Sequence, residues 1–174
     1  GDVYKRQQQY PEQKFPNVVP MNVGHAFDLQ GPTGETNRYM MLPRKRVLAL
    51  AQNELDLIHQ MLAILAVNSQ VALLENHPFL QRFGQQLPKA VRQSMIEIGH
   101  VEHGDFDAVL HHGSIEELQT LQTQIANRKG AIVGITHLQH SEQVIPLERL
   151  VIEHAISVNT AAAGGNASLM TMSE

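Results

Sequence analysis

The chain has 174 residues, which suits one domain of ordinary size. Hydrophobic residues make up 43% and charged residues 17%, enough for a core and too little charge for a disordered tail. A net charge of −4 argues against a nucleic-acid footprint, and the lack of Cys excludes disulfides, a thiolate nucleophile and thiolate metal sites. No apolar run approaches the roughly 18 residues that span a bilayer, so no membrane span is expected. Residues 1–7, Gly1 to Gln7, are polar, lack the apolar stretch of a signal peptide and do not blend with the segment that begins at Gln8. They read as a non-native head, with the natural chain continuing upstream.

Residues 8–46 are rich in Gln, Pro and Gly, with short apolar pieces at Val18-Val19, Ala26–Leu29 and Tyr39–Leu42. Gly31-Pro32-Thr33-Gly34-Glu35-Thr36-Asn37 between the last two is a turn signal, so an antiparallel hairpin is predicted. Arg44-Lys45-Arg46 reads as an exposed turn before a strand rather than a polyanion site.

Residues 47–140 alternate strand and helix signals. Val47–Leu50 is a buried-type strand. Asn53 caps the next helix, with Asp56 in the box position, and Leu55, Ile58, Met61, Leu62 and Leu65 form its predicted apolar stripe. Asn68-Ser69 ends it, and Val71–Leu74 is the second strand. Helices are predicted near 78–84 and 88–98, the second opened by Pro88. His100–His103 reads as a brief strand and Ala108–Leu110 as a better one. Ser114 and Glu117 form a capping box before a helix marked by Ile115, Leu118, Leu121 and Ile125 and closed by Gly130. Ala131–Ile135 is the next predicted strand. Such strand-helix-strand units imply an α/β fold: a mostly parallel, Rossmann-like sheet with helices on both faces.

Residues 141–174 hold an irregular or helical piece at 146–153, a strand at 155–160 and a glycine-rich tail. That strand, with the N-terminal hairpin, is expected to form a flap. The tail packs small residues, Gly164-Gly165 and Asn166 into a short span, which suits close approach of two backbones.

Chemistry is sparse. There is neither G-x-G-x-x-G nor a P-loop, and no G-x-S-x-G elbow. Gly31–Gly34 precedes a strand rather than a helix, which leaves phosphate binding there unsupported. Ser114 beside His111 or His112 is explained by its cap. The histidines pair as His100/His103, His111/His112 and His137/His140, and three of them could hold zinc. No accompanying carboxylate motif is present, and ordinary loop and strand-end histidines are the simpler reading. No catalytic, metal or cofactor-binding residue is assigned.

Three stretches carry a family resemblance: Phe27 to Tyr39 with Leu42-Pro43-Arg44, Gly130–Val133 with its preceding helix, and Leu150 through Met170. Over most of residues 20–174 the chain resembles the C-terminal domain of the long proline utilization A proteins. The resemblance implies a degenerate aldehyde-dehydrogenase-like fold within a protein that oxidises proline to glutamate with FAD and NAD. Upstream proline dehydrogenase and aldehyde dehydrogenase modules would then be the partners, homo-oligomers are conceivable, and the cytoplasm, or a peripheral place at the membrane, is the location. Val67–Leu74 is similar to the Gly-Asn to Lys-Pro stretch of working aldehyde dehydrogenases. Asn68 survives there, while Leu73 and Leu74 stand at the Lys-Pro places. The family also places a terminal seam against the catalytic modules, enclosing an internal passage for the intermediate. The resemblance thereby implies packing roles for Asn159, Thr160, Gly164, Gly165, Asn166 and Ser168. A stand-alone nucleotide-binding module and an oligomerisation module are the alternatives.

Overall fold

The structure, a computed structural model, describes residues 23–159. Eight strands are described: β1 (Ala26–Leu29), β2 (Glu35–Pro43), β3 (Arg46–Ala51), β4 (Gln70–Leu74), β5 (Met95–Ile98), β6 (Ala108–His112), β7 (Gly134–Leu138) and β8 (Val151–Asn159). Four α-helices accompany them: α1 (Glu54–Ala66), α2 (Pro78–Phe83), α3 (Lys89–Gln93) and α4 (Ile115–Ala126). Five strands form a parallel sheet in the order β5-β4-β3-β6-β7, and three form an antiparallel sheet in the order β1-β2-β8.

The parallel sheet follows from short apolar runs that bury both faces. Val47, Leu48 and Ala49 of β3 and Val71, Ala72 and Leu73 of β4 are all fully buried. Alternation then splits the core in two. Val47, Ala49, Val71, Leu73 and Leu110 pack with Leu57, Met61 and Ile64 of α1 on one face. Leu48, Ala72 and Val109 pack with Leu121 of α4 on the other. Helices therefore cover both faces, as right-handed crossovers in opposite directions from β3 require.

Local signals start and stop these elements. Asn53 Oδ1 accepts from Asp56 N at 2.8 Å to cap α1. Its other end closes on Asn68 in the left-handed region (φ 62°), with Asn68 N donating to Leu65 O and Ser69 N to Ile64 O. The Ser114–Glu117 capping box opens α4 with both of its bonds made. Between β5 and β6, Arg128 donates to the carbonyls of Val101, Gly104 (2.8 Å) and Phe106, and its guanidinium lies 4.1 Å above the Phe106 ring.

Several sequence-based expectations are corrected. The helix expected over 88–98 ends at Gln93, and Met95–Ile98 is a strand, because pairing with Val71–Leu74 satisfies its backbone. His100–His103 is a turn rather than a strand. The strand expected over 131–135 runs instead over Gly134–Leu138, in register with β6, which leaves Ile132 98% exposed. The expected stripe of α1 is partly right: Met61 is in the core with Ile58 and Leu65 against it, but Leu55 and Leu62 are not its deepest members. Leu57 and Ile64 are fully buried, and so are the polar Asp56 and Gln60, because the segment after β7 covers the helix's second side. The last strand begins at Val151, not at 155. Val18-Val19 lies outside the described residues.

The hairpin is as expected. Glu35 N donates to Pro32 O, and Gly34 sits at φ 88°, the left-handed position of a type II turn. Residues Ala26–Leu29 pair with Asn37–Met40.

Candidate functional site

Two surfaces are candidates: the carboxyl edge of the parallel sheet, and the antiparallel sheet that leaves it. In doubly wound folds ligands sit where the strand order reverses, here between the carboxyl ends of β3 and β6. That crevice is filled by the chain's own side chains. Gln60 Nε2 donates to Leu50 O at 2.9 Å and to His112 Nδ1 at 2.8 Å. Because Gln60 presents its nitrogen, His112 Nδ1 is the acceptor, and His112 Nε2 carries the hydrogen donated to Glu142 O at 2.9 Å. Both side chains are buried. Beside them the buried Asp56 carboxylate accepts from Ser141 N at 3.1 and 3.2 Å and lies 3.7 Å from His140 Nδ1. This network ties α1 and β6 to the segment after β7 and holds Ser141 at φ 66°.

The two long helices whose first turns face this edge are closed to anions. The first turn of α1 carries Glu54 and Asp56, and Asn53 donates to the Asp56 carboxylate. The first turn of α4 carries Glu116 and Glu117. Glu117 Oε2 accepts from Ser114 N at 2.7 Å, and Oε1 accepts from Gln52 Nε2. At α1 the donor Asp56 N is met by Asn53 Oδ1, and at α4 Ser114 N is met by the Glu117 carboxylate and Glu117 N by Ser114 Oγ, with acidic side chains in both first turns. A cleft of about 470 Å³ opens beside β3, lined among others by Gln52, Asn53, Glu54, His77, Phe79 and Arg82. At the neighbouring strand end, Leu73 is fully buried in the core and Leu74 offers no donor, so a dinucleotide's ribose finds no amine there.

The histidines divide. His111 and His137 are register partners on β6 and β7, with Nδ1 atoms 3.0 Å apart and stacked rings. Burial lowers the pKa of His111, and His137 adds to this while Glu117 opposes it. Burial likewise lowers His59, opposed by Asp56. His77 is lowered by burial as well, and its Nδ1 accepts from Phe79 N at the start of α2. His100 and His103 stay in the turn after β5. Among the described residues no group of three or more His, Asp or Glu gathers as metal ligands. The basic run before β3 is engaged: Arg46 pairs with Asp105, and the Asp107 carboxylate accepts from Lys45 N and Arg46 N at 3.0 Å.

The antiparallel sheet is the opposite kind of surface. Its base is anchored: Leu150 and Val151 are buried, Met41 packs on the core, and Arg44 N donates to Leu150 O at 2.9 Å. Beyond that base it projects, and β8 is exposed from Ile152 onward. Pairing of Leu42 with Ile152, Arg38 with Ile156 and Thr36 with Val158 puts those apolar side chains on one face. Phe27 and Leu29 occupy the other face with Tyr39 and Ala155. Phe27, Leu29, Ile152, Ile156 and Val158 are between 39% and 52% exposed. Of the expected seam residues, Asn159 ends β8 opposite Glu35. Thr160, Gly164, Gly165, Asn166 and Ser168 lie outside the described residues. The period-2 run Ile152, His154, Ile156, Val158 was the available signal for the arm's face and was not read as such.

No helix among the described residues is long and apolar enough to cross a membrane. No family model matches the chain. It is 47% identical over 146 residues to the bifunctional protein PutA of Salmonella typhimurium, a match covering 83% of this chain and 11% of that protein. It is 45% identical to the Escherichia coli protein of the same name, so the chain spans about 11% of the length of these curated relatives. A structure of Bradyrhizobium japonicum proline utilization A superposes with a TM-score of 0.52 at 22% identity, covering 66% of this chain and 14% of that one. A Burkholderia cenocepacia protein described as an aldehyde dehydrogenase gives a TM-score of 0.52 at 14% identity, covering 66% of this chain and 27% of that one. The chain is a PutA-like segment, matching one part of the bifunctional PutA proteins in sequence and sharing the fold of aldehyde-dehydrogenase-like domains.

Proposed function

We propose that this chain is a noncatalytic packing segment of a bifunctional proline-catabolic enzyme, one that converts proline to glutamate with FAD and NAD bound on other modules. The antiparallel arm and the seam beyond it, Asn159, Thr160, Gly164, Gly165, Asn166 and Ser168, dock on those modules as a flap and help enclose the passage of the intermediate. In this reading residues 47–140 are the degenerate Rossmann-like scaffold, residues 8–46 supply the hairpin and residues 141–174 the strand and tail. The whole acts in the cytoplasm.

The observation that carries this reading is the arm itself. A three-stranded sheet with apolar side chains exposed on both faces is a surface made to be covered. A supporting observation is the closed carboxyl edge, where carboxylates occupy the helix termini and Leu73 and Leu74 replace any ribose donor. Without Cys there is no thiolate to attack an aldehyde.

The test uses the full-length protein that contains this chain. Ile156→Asp with Val158→Asp should introduce a lag in NADH formation from proline, while each half-reaction keeps its rate when supplied directly. Unchanged progress curves would overturn the docking role. A second reading, assembly, is favoured by the position of β8, which among the described residues is an outer strand of its sheet. The same variant separates the two: loss of molecular mass in solution with no lag assigns the arm to oligomerisation. Calorimetric titration of the 174-residue chain with NAD should show no binding, and tight binding would revive the nucleotide-module alternative.

A further inference from the structure

Among the described residues, β7 is an edge strand, paired with the parallel sheet along one side by β6. Within that ladder His111 and His137 face each other, with Nδ1 atoms 3.0 Å apart, ring centroids 5.2 Å apart and ring planes at 26°. Such a contact needs one hydrogen between the nitrogens, so one ring donates and the other accepts. One extra proton is accommodated, because the charged ring goes on donating through Nδ1–H. Two are not: both nitrogens would then carry hydrogen, and two cations would be stacked in a largely buried site.

The surroundings offer one partial relief, the Glu117 carboxylate, which favours a charged His111 but is outweighed by burial and by His137. From α4, Glu117 approaches His111, and a Cβ at Gly113 would meet both its Oε2 and His111 Nε2, but this carboxylate already serves Ser114 N and Gln52. From β6, His112 adds a further titratable ring, and from the segment after β7 so does His140. Asp56 of α1 is engaged by Asn53 and Ser141, and Glu142 by Gln139 N, while His59 is itself buried. His111 is 6% exposed and has nowhere to turn, whereas His137 is only partly buried.

We propose that the facing His111 and His137 imidazoles are a proton-operated clasp on edge strand β7, closed while the pair holds at most one extra proton and opened by rotation of His137 into solvent when both rings are charged. Burial and the neighbouring ring depress His111, in keeping with a pair that resists its second proton. The carboxyl end of β7 runs directly into the segment that Asp56 and His112 hold by Ser141 and Glu142, and from there into β8. Acid therefore loosens the side of the domain from which the arm departs.

The test is an imidazole ¹⁵N titration of the 174-residue chain by NMR from about pH 8 to about pH 4.5, with amide exchange, corrected for its intrinsic pH dependence, read in parallel. The two rings are expected to titrate as one coupled unit, not independently. Protection of the β7 amides should fall by about an order of magnitude on uptake of the second proton. In H137Q, His111 should titrate in a single step and the β7 amides should lose their pH step, while H100Q leaves both unchanged. Independent single-step titration of the two rings, or a second step that leaves β7 protection unaltered, would overturn the proposal. Should H137Q not fold, the titration of the unsubstituted chain decides between these outcomes.

Discussion

The parallel sheet and the antiparallel arm are built from similar kinds of β-branched and aliphatic side chain, yet they use them in opposite ways. In the parallel sheet each apolar run has a helix on either side, and the crevice at its carboxyl edge is stopped by Gln60, His112 and Asp56. In the arm, alternation directs apolar side chains to both faces with nothing of the described chain above them. The first region is finished as a folded object. The second leaves apolar side chains partly exposed on both faces among the described residues. That contrast is why the functional reading rests on the arm, although the sheet is where a ligand would first be sought.

The contrast can be broken or sharpened by substitution. Leu110→Ala removes a fully buried side chain from the sheet's core and should cost about 2–5 kcal/mol, measured by urea unfolding. Asp56→Ala leaves Ser141 N without its acceptor and should cost about 1–3 kcal/mol, with faster amide exchange at Ser141. Acid is a milder probe of the same closed edge. His59 and His111 have folded pKa values below the unfolded one, so the unfolded chain binds protons first. Their contribution is complete above the ordinary imidazole pKa of about 6.5 and is lost as pH falls from there toward the lowered folded values. Unfolding midpoints measured on either side of that value should therefore decline on the acid side. Ser114→Ala removes one arm of the capping box and should cost about 1 kcal/mol. At the bottom of the scale, Ile156→Ser in the isolated chain should change stability by less than about 1 kcal/mol, because the residue is 41% exposed. A large loss there would mean that the arm is covered within this chain and would dissolve the contrast.

Legibility in the sequence followed the same division. β3, α1 and β4 were readable because uninterrupted apolar runs, an Asn cap and a left-handed Asn all act within a few residues. The Ser114–Glu117 box marked α4 for the same reason. β5 was hidden because Val91, Met95 and Ile98 repeat at helical spacing, and only pairing with β4 makes that stretch extended. The register of β7 was set by β6 and not by the apolar run Ala131–Val133. The polar side of α1 was unreadable because Asp56 and Gln60 are buried by residues 85 and 52 positions away. On the candidate surfaces, the seam's last described member, Asn159, falls at the arm's end. Neither the His111–His137 contact nor the plug at the strand-order reversal leaves a local trace, since the first joins two strands and the second joins α1 to β3, β6 and the segment after β7.

Arg128 shows what irregular chain becomes when one planar group gathers it. Its fork meets the carbonyls of Val101, Gly104 and Phe106 while its flat side rests on the Phe106 ring. A lysine at this position would keep the positive charge yet supply a point in place of a plane, so at most some of those carbonyls would be reached and the ring would lose its lid. The stretch joining β5 to β6 has neither helix nor strand to stiffen it. Besides its ties to Lys45 and Arg46 through Asp105 and Asp107, it is gathered by the shape of this side chain as much as by its charge.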